Sequence, residues 1–365
     1  MLDKHAYRQE SCIFRLDGNA MSQKVTNTEH LDAAPGETGV TDSAHLANQQ
    51  ESGDGNPRGH DNDNDGDDGD GAGDEDTVIR VVDLVKQFDG KTVLDGVNLT
   101  VRRGETMVIM GGSGSGKSTL LRCIVGSHRP EAGSISLFEK DITQLHETEL
   151  DGIRKQFGIL FQSGALFNSM SLRENVALPI AEHTNLDRST IDIMVKIKLE
   201  QVGLREHAEK FPAQISGGMK KRAGLARALA LDPKILFYDE PSAGLDPVTS
   251  AEIDRLIIDL SKQLGVTSVV VTHEMDSAFT IADRMAMLDK GRMMAVESRQ
   301  YFDDIRNGPV DGLDEDGQLI RQFLRGDATG PITQRKQSTS YEEDLLGLSE
   351  DDRSVKPAIQ ATRGG

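Results

Sequence analysis

Eight consecutive residues carry the plainest chemistry in this sequence: Gly111-Gly112-Ser113-Gly114-Ser115-Gly116-Lys117-Ser118, with Thr119 next. They fit the spacing G-x-x-x-x-G-K-[ST] at every fixed position. Glycines let backbone N–H groups curl around phosphate oxygens without Cβ clashes. Lys117 then serves the β- and γ-phosphates, and Ser118 offers a hydroxyl to Mg²⁺. The apolar run MVIM (107–110) leads into the loop, and a helical pattern leaves it near Lys117. That helix start adds attraction for an anion. A chance glycine-rich turn would lack both flanks.

A phosphate loop alone does not choose among kinases, GTPases and motor ATPases. The second half of the chain narrows the choice. ILFYD (235–239) is an apolar run ending in Asp239, with Glu240 following. Together they supply a carboxylate on the Mg²⁺ side and an adjacent base for water. Elsewhere, two acids at a strand end are solvated groups or helix caps. Gln162 follows GILF (158–161), where a carboxamide reaches Mg²⁺ or the attacking water. Ile215-Ser216-Gly217-Gly218-Met219 precedes a long helical pattern and sets a second anion-binding helix start on the surface. His273 follows SVVVT (268–272), where an imidazole reaches a γ-phosphate. A lone Gln or His is usually ordinary polar structure; their joint order is what carries weight.

The elements that must hold these groups follow from periodicity. VIRVV (78–82) and VLDGVNLTV (93–101) read as strands around the turn Asp89-Gly90. MVIM, GILF, ILFYD, SVVVT and MAML (285–288) read as buried strands. Helical patterns cover 117–126, 190–202, 217–232 and 248–264. Strands alternating with helices predict an α/β fold with a mostly parallel sheet covered on both faces.

From about 78 to 325 the chain resembles the nucleotide-binding subunits of ABC transporters. In that comparison 111–118 is the P-loop, Gln162 the Q-loop glutamine and ISGGM the signature. Asp239 and Glu240 are the Walker B carboxylates, Asp246 in SAGLD marks the D-loop, and His273 is the switch histidine. Phe88 stands where the family stacks an aromatic on adenine; an ordinary buried Phe is the alternative. The resemblance implies a P-loop ABC ATPase fold with an antiparallel β subdomain and a helical signature subdomain. It also implies ATP and Mg²⁺ as cofactors, and a head-to-tail homodimer. Each ATP would lie between one P-loop and Ser216, Gly217 and Gly218 of the partner. Roles then follow: Glu240 orients water, Asp239, Ser118 and Gln162 serve Mg²⁺, Lys117 the phosphates and His273 the γ-phosphate. An integral membrane permease would dock a helix in the cleft around Gln162, Phe167 and Met170, at the cytoplasmic face of the membrane.

One departure narrows the branch. The usual signature ends in Gln, and this one ends in Met219. ISGGMKKRAGLARALALDPKILFYDEPSAGLDP is similar to the ATPases of Mla/Mce-type lipid transport systems. So are FQSGALFNSMSLRENVALPIAEHT (161–184) and QFLRGDATGP (322–331). The resemblance implies lipid as cargo, an MCE-type partner and a small regulatory subunit. Three rivals remain. A permease-free scaffold ATPase has no need of the ALFNSMSLRENVALP stretch. A DNA-repair ATPase would carry long coiled-coil insertions, yet only about 97 residues separate Lys117 from Gln214. An importer of polar solutes would be told apart by its permease.

Composition agrees. The 365 residues hold 41 Lys+Arg and 60 Asp+Glu, a net charge of -19, which argues against nucleic-acid binding. Two cysteines, Cys12 and Cys123, make no disulfide scaffold. No run approaches 18 apolar residues, and the first residues lack a secretory apolar stretch. Residues 1–76 hold 18 acids and 5 bases. Rich in Asp, Gly, Asn and Ser, they read as a disordered acidic tail ahead of an ATPase domain at 77–326 and a tail at 327–365. This front lies outside the resemblance, and Met21 is a second candidate start. Asp61, Asp63, Asp65 and Gly66 open like a calcium loop, but Ala72 stands where a bidentate Glu is required.

Two predictions follow. A chain starting at Thr77 should keep the melting temperature and nucleotide affinity of the full chain; loss of either in thermal and binding titrations would show that the front packs on the body. The stretch Tyr341-Glu342-Glu343-Asp344-Leu345-Leu346 begins about 15 residues past the core, a reach of up to about 50 Å. As in the similar family, Tyr341, Leu345 and Leu346 should dock on the partner ATPase. Sedimentation with and without residues 336–365 should then show weaker dimerisation of the shortened chain; equal monomer–dimer constants would exclude the hook.

Overall fold

The computed structural model describes residues 76–333. The acidic front, the calcium-loop-like segment and the Tyr341–Leu346 stretch lie outside the described residues.

Two sheets organise the chain. The first is antiparallel, in the order β2-β1-β4-β5, from β1 (Thr77–Phe88), β2 (Lys91–Arg102), β4 (Ala132–Leu137) and β5 (Lys140–Asp141). Its hairpin turns at Asp89-Gly90, as expected, with positive φ at both residues and Phe88 paired to Lys91. The second sheet has the order β10-β9-β3-β8-β7-β6. Its strands are β3 (Thr106–Met110), β6 (Phe157–Leu160), β7 (Ile235–Asp239), β8 (Thr267–Thr272), β9 (Arg284–Asp289) and β10 (Arg292–Ser298). All neighbours pair in parallel except β10, which lies antiparallel to β9.

The nine helices among the described residues are α1 (Lys117–Ile124), α2 (Glu147–Arg154), α3 (Leu172–His183), α4 (Arg188–Gln201), α5 (Gly217–Ala228), α6 (Pro247–Leu264), α7 (Met275–Ile281), α8 (Arg299–Asn307) and α9 (Glu315–Arg325). Two expected helices end early. The first, expected to 126, stops at Ile124, where Gly126 takes φ 72. The signature helix, expected to 232, stops at Ala228, and Asp232 turns the chain at φ 50 into β7. The strand expected at 158–161 runs one residue earlier, at 157–160.

Strand alternation builds two cores. Side chains of a strand point alternately to opposite faces. Val108, Met110, Leu236, Tyr238, Val270, Met285 and Met287 join a core with the helices α3 to α6. Met107, Ile109, Ile235, Phe237, Val269, Val271, Ala286 and Leu288 join a second core with α1 and the antiparallel sheet. The central strands are buried on both faces, which is why they read as unbroken apolar runs.

Gly158 on β6 shows how tightly the layers meet. A Cβ there would lie 2.2 Å from the Ala228 carbonyl oxygen, at the end of α5. We expect Gly158→Ala to destabilise the fold by about 1–3 kcal/mol through overpacking. Gly152→Ala on α2 meets nothing within 4 Å and should be neutral or slightly stabilising. Urea unfolding of both variants reads the difference.

Candidate nucleotide site

The parallel register fixes where the chemistry emerges. Met110 pairs with Thr272, and Asp239 with Val271. The ends of β3, β7 and β8 therefore align at one edge of the sheet. The loop 111–116, the pair Asp239-Glu240 and His273 all leave from that edge. Ligands of open α/β sheets bind at the carboxyl ends of the strands.

The loop wraps tightly between β3 and α1. Gly111 has φ 152, and a Cβ on it would lie 2.1 Å from the Leu288 carbonyl oxygen. Gly116 caps α1 in the left-handed region, against Leu94 and Val93. Ser115 is buried, and its hydroxyl meets no hydrogen-bond partner. Ser113 and Gly114 are exposed at the tip, while Gly112, Ser118 and Thr119 are half-buried. Lys117 donates to the carbonyls of Gly111 (2.8 Å) and Gly112 (3.0 Å). Burial lowers its pKa, and the charges of Glu240 and Asp239 oppose that fall.

The carboxylates meet this loop. Asp239 Oδ1 accepts from the Ser118 hydroxyl at 3.4 Å. Burial raises the Asp239 pKa, with the Glu240 charge adding to the rise; Arg122, Ser118 and Lys221 pull it down. Glu240 takes φ 50 although it is not glycine. Such a conformation costs about 1–3 kcal/mol and persists only where the surroundings impose it. Both carboxylate oxygens of Glu240 lie 2.9 Å from His273 Nδ1.

The remaining predicted residues lie apart from this cluster. Ser216 caps α5, its hydroxyl accepting from the Met219 N–H at 3.3 Å. Ser216 and Gly217 are exposed, while Met219 packs partly into the core. A Cβ on Gly218 would lie 2.5 Å from Thr249 Cγ2, so α5 presses directly on α6. Among the described residues, no hydrogen bond or ion pair joins Ser216–Met219 to the loop 111–118. Asp246 caps α6, accepting from the N–H groups of Val248 and Thr249. The Thr249 hydroxyl leads in holding its carboxyl below the usual range. Gln162 is exposed beyond β6, with no hydrogen bond to the Asp239–Ser118 pair. Phe167 and Met170 are half-buried. The loop carrying them is tied by buried Asn175, which donates to the carbonyls of Phe167, Met170 and Ser171. Arg227 holds the Ala165 carbonyl at 2.7 Å.

Phe88 ends β1 and is 41% exposed, so it is not an ordinary buried phenylalanine. Its ring meets the edge of His128 at 5.5 Å, and Lys86 Nζ lies 5.0 Å from its centroid.

The chain is similar to known proteins over most of its length. The family model described as "ABC transporter" matches residues 94–243. The chain is 42% identical over 296 residues to the probable ribonucleotide transport ATP-binding protein mkl of Mycobacterium tuberculosis, covering 78% of this chain and 80% of that protein. The chain belongs to the ABC transporter family. It is also 41% identical over 256 residues to the intermembrane phospholipid transport system ATP-binding protein MlaF of Escherichia coli, covering 70% of this chain and 91% of MlaF. Among solved structures, the dimeric post-hydrolysis state of the ATP-binding cassette MJ0796, bound to ADP and Pi, matches with TM-score 0.56 and 31% identity. It covers 60% of this chain and 98% of that one. This MlaF-like chain is thus an ABC transporter ATP-binding subunit and an ATP hydrolase, on an α/β cassette fold.

Sequence reading missed several supports of the site. Lys221 donates from α5 to the Glu240 carbonyl at 2.8 Å. Asn175 and Arg227 tie the loop after β6. For Lys221 the sequence offers only its place four residues before Leu225 on the buried face of α5, which marks burial and names no partner.

Gly111→Ala should test the loop. It forces a Cβ against the Leu288 carbonyl at a φ that side chains rarely adopt. We expect ATP affinity to fall more than about tenfold, with a lower melting temperature, in nucleotide-binding and thermal-shift titrations.

Proposed function

We propose that this subunit drives lipid transport: phospholipid movement through a membrane permease with an MCE-type partner and a small regulatory subunit. The observation that supports this cargo is the breadth of the similarity to MlaF. In Haemophilus influenzae MlaF the match covers 98% of that protein at 39% identity. The mkl relatives carry a name that specifies ribonucleotides, which makes a polar solute the second reading. No described helix is long and apolar enough to cross a membrane. We place a permease against the loop of Gln162, Phe167 and Met170, with the subunit on the cytoplasmic face. In this reading residues 77–326 form the ATPase domain, flanked by tails at 1–76 and 327–365.

The chemistry we assign needs no covalent step by the protein. Phosphoryl transfer to water requires an in-line nucleophile and neutralised phosphate charge. The N–H groups of 111–119 and Lys117 cradle the phosphates, and Phe88 stacks on adenine. The oxygen donors Ser118 and Asp239 suit a hard cation such as Mg²⁺, which keeps waters and substrate phosphates in its shell. Gln162 would add a further oxygen donor to that shell. Mg²⁺ would neutralise charge on the phosphate oxygens. Glu240 accepts the water's proton, and His273 holds the γ-phosphate while pairing with Glu240. Ser216, Gly217, Gly218 and Met219 of a second copy close the site, with Asp246 between the copies. The dimeric MJ0796 cassette supports that arrangement.

Lys117→Ala and Glu240→Gln should separate binding from chemistry. The first should weaken ATP retention. The second should retain ATP while turnover falls by about 10²–10⁴-fold. Full turnover in permease-bound Glu240→Gln protein would remove the base assignment. Reconstituted with its permease, the subunit should drive ATP-dependent transfer of labelled phospholipid; transfer of labelled ribonucleotide instead would favour the second reading.

A further inference from the structure

Glu240 is held in a conformation that its own sequence opposes. It takes φ 50 without being glycine, and it precedes Pro241, a position biased towards extended backbone. The surroundings must therefore impose the geometry. Its N–H donates to the Val271 carbonyl at 2.9 Å, tying it to β8. Its carbonyl accepts a 3.3 Å turn bond from the Ala243 N–H. The same carbonyl accepts a shorter, charged bond from Lys221 Nζ at 2.8 Å. Pro241 has no N–H, so the Glu240–Pro241 peptide can be gripped only by its oxygen.

Packing does not account for Lys221. It is 4% exposed on the inner face of α5, beside Ala223, Gly224 and Leu225. A leucine or methionine would fill that position without desolvating an ammonium. The charged groups around it are Asp239, Glu240 and Glu274, and their attraction opposes the fall in its pKa caused by burial. The ammonium thus bonds the Glu240 backbone and feels the charge of both carboxylates of the site. It also lies on the helix that Ser216 caps, within two turns of the signature.

We propose that Lys221 is a positioning residue for ATP hydrolysis: from α5 it clamps the Glu240 carbonyl and so sets the carboxylate in its contact with His273. The inference rests on Glu240 acting as the base. It gives the signature helix a direct mechanical hold on the base of its own chain. Movement of α5 on contact with the second copy's nucleotide then reaches Glu240 through one side chain.

The test uses the full chain in single-turnover hydrolysis of radiolabelled ATP with protein in excess. Lys221→Met should cut the hydrolysis rate at least about tenfold, since small displacements of a catalytic group cost that much. ATP affinity should stay within about twofold and the melting temperature close to wild type, and Lys221→Arg should recover most of the rate. In a Glu240→Gln background, Lys221→Met should cost nothing further, because both changes act on one group. An unchanged rate for Lys221→Met overturns the proposal. So does a loss of affinity and stability in step with rate, or a loss that multiplies in the Glu240→Gln background. If Lys221→Met does not fold, Lys221→Arg and Lys221→Gln are compared, and equal rates overturn it. Full turnover by Glu240→Gln alone would instead remove the base assignment on which the inference stands.

Discussion

The loop 111–116, Asp239, Glu240 and His273 all hang from the parallel register of β3, β8 and β7. Met110 opposite Thr272 and Asp239 opposite Val271 bring three strand ends to one edge. A one-residue slip would turn each strand's side chains to the other face. It would also exchange the two cores, because alternate residues of the same strands feed each of them. The register is thus enforced by apolar burial far from the chemistry. The site inherits its precision from that burial.

What the register delivers is a crowded set of charges. Lys117, Lys221, Asp239 and Glu240 are drawn from three elements, and burial disfavours the charged forms of both lysines and of Asp239. Mutual attraction offsets part of that cost. Backbone strain falls here too: Glu240 is one of eight non-glycine residues with positive φ among the described residues. Strain of this kind survives only where packing over-determines the chain. The Val271 carbonyl, Lys221 and His273 supply that determination for Glu240.

The central strands and the phosphate loop were legible in the sequence because they are extreme. Strands buried on both faces become apolar runs, and a loop that cradles phosphate needs glycine at set positions. Asp239, Glu240 and His273 could be singled out because each stands at or just past the end of an apolar run, and Phe88 because of the family resemblance. The short strands β4 and β5 were not found: the alternation in AGSISL covers only Ser134 to Leu137, and KD is two residues long. Helix α3 was also missed: Pro179 lies inside it, and its apolar residues form no clean stripe. Lys221 escaped because its role is a contact with a backbone carbonyl nineteen residues away, and no spacing rule encodes that. The edge of the signature helix is similar. Gly218 is required by its approach to Thr249, which only the packed structure reveals.

In the proposed reading, the site of one chain is half of what hydrolysis needs. The phosphate loop with its carboxylates forms one surface, and the exposed start of α5 forms another, without a bond between them. We propose that two copies complete each other's sites. Complementation tests this most directly. Lys117→Ala removes the phosphate-loop half, and Ser216→Arg blocks the signature half. Mixed copies then contain one site built from an intact phosphate loop and an intact signature. The account predicts that the mixture hydrolyses ATP well above the average of the two separate variants. A mixture no more active than that average would contradict it.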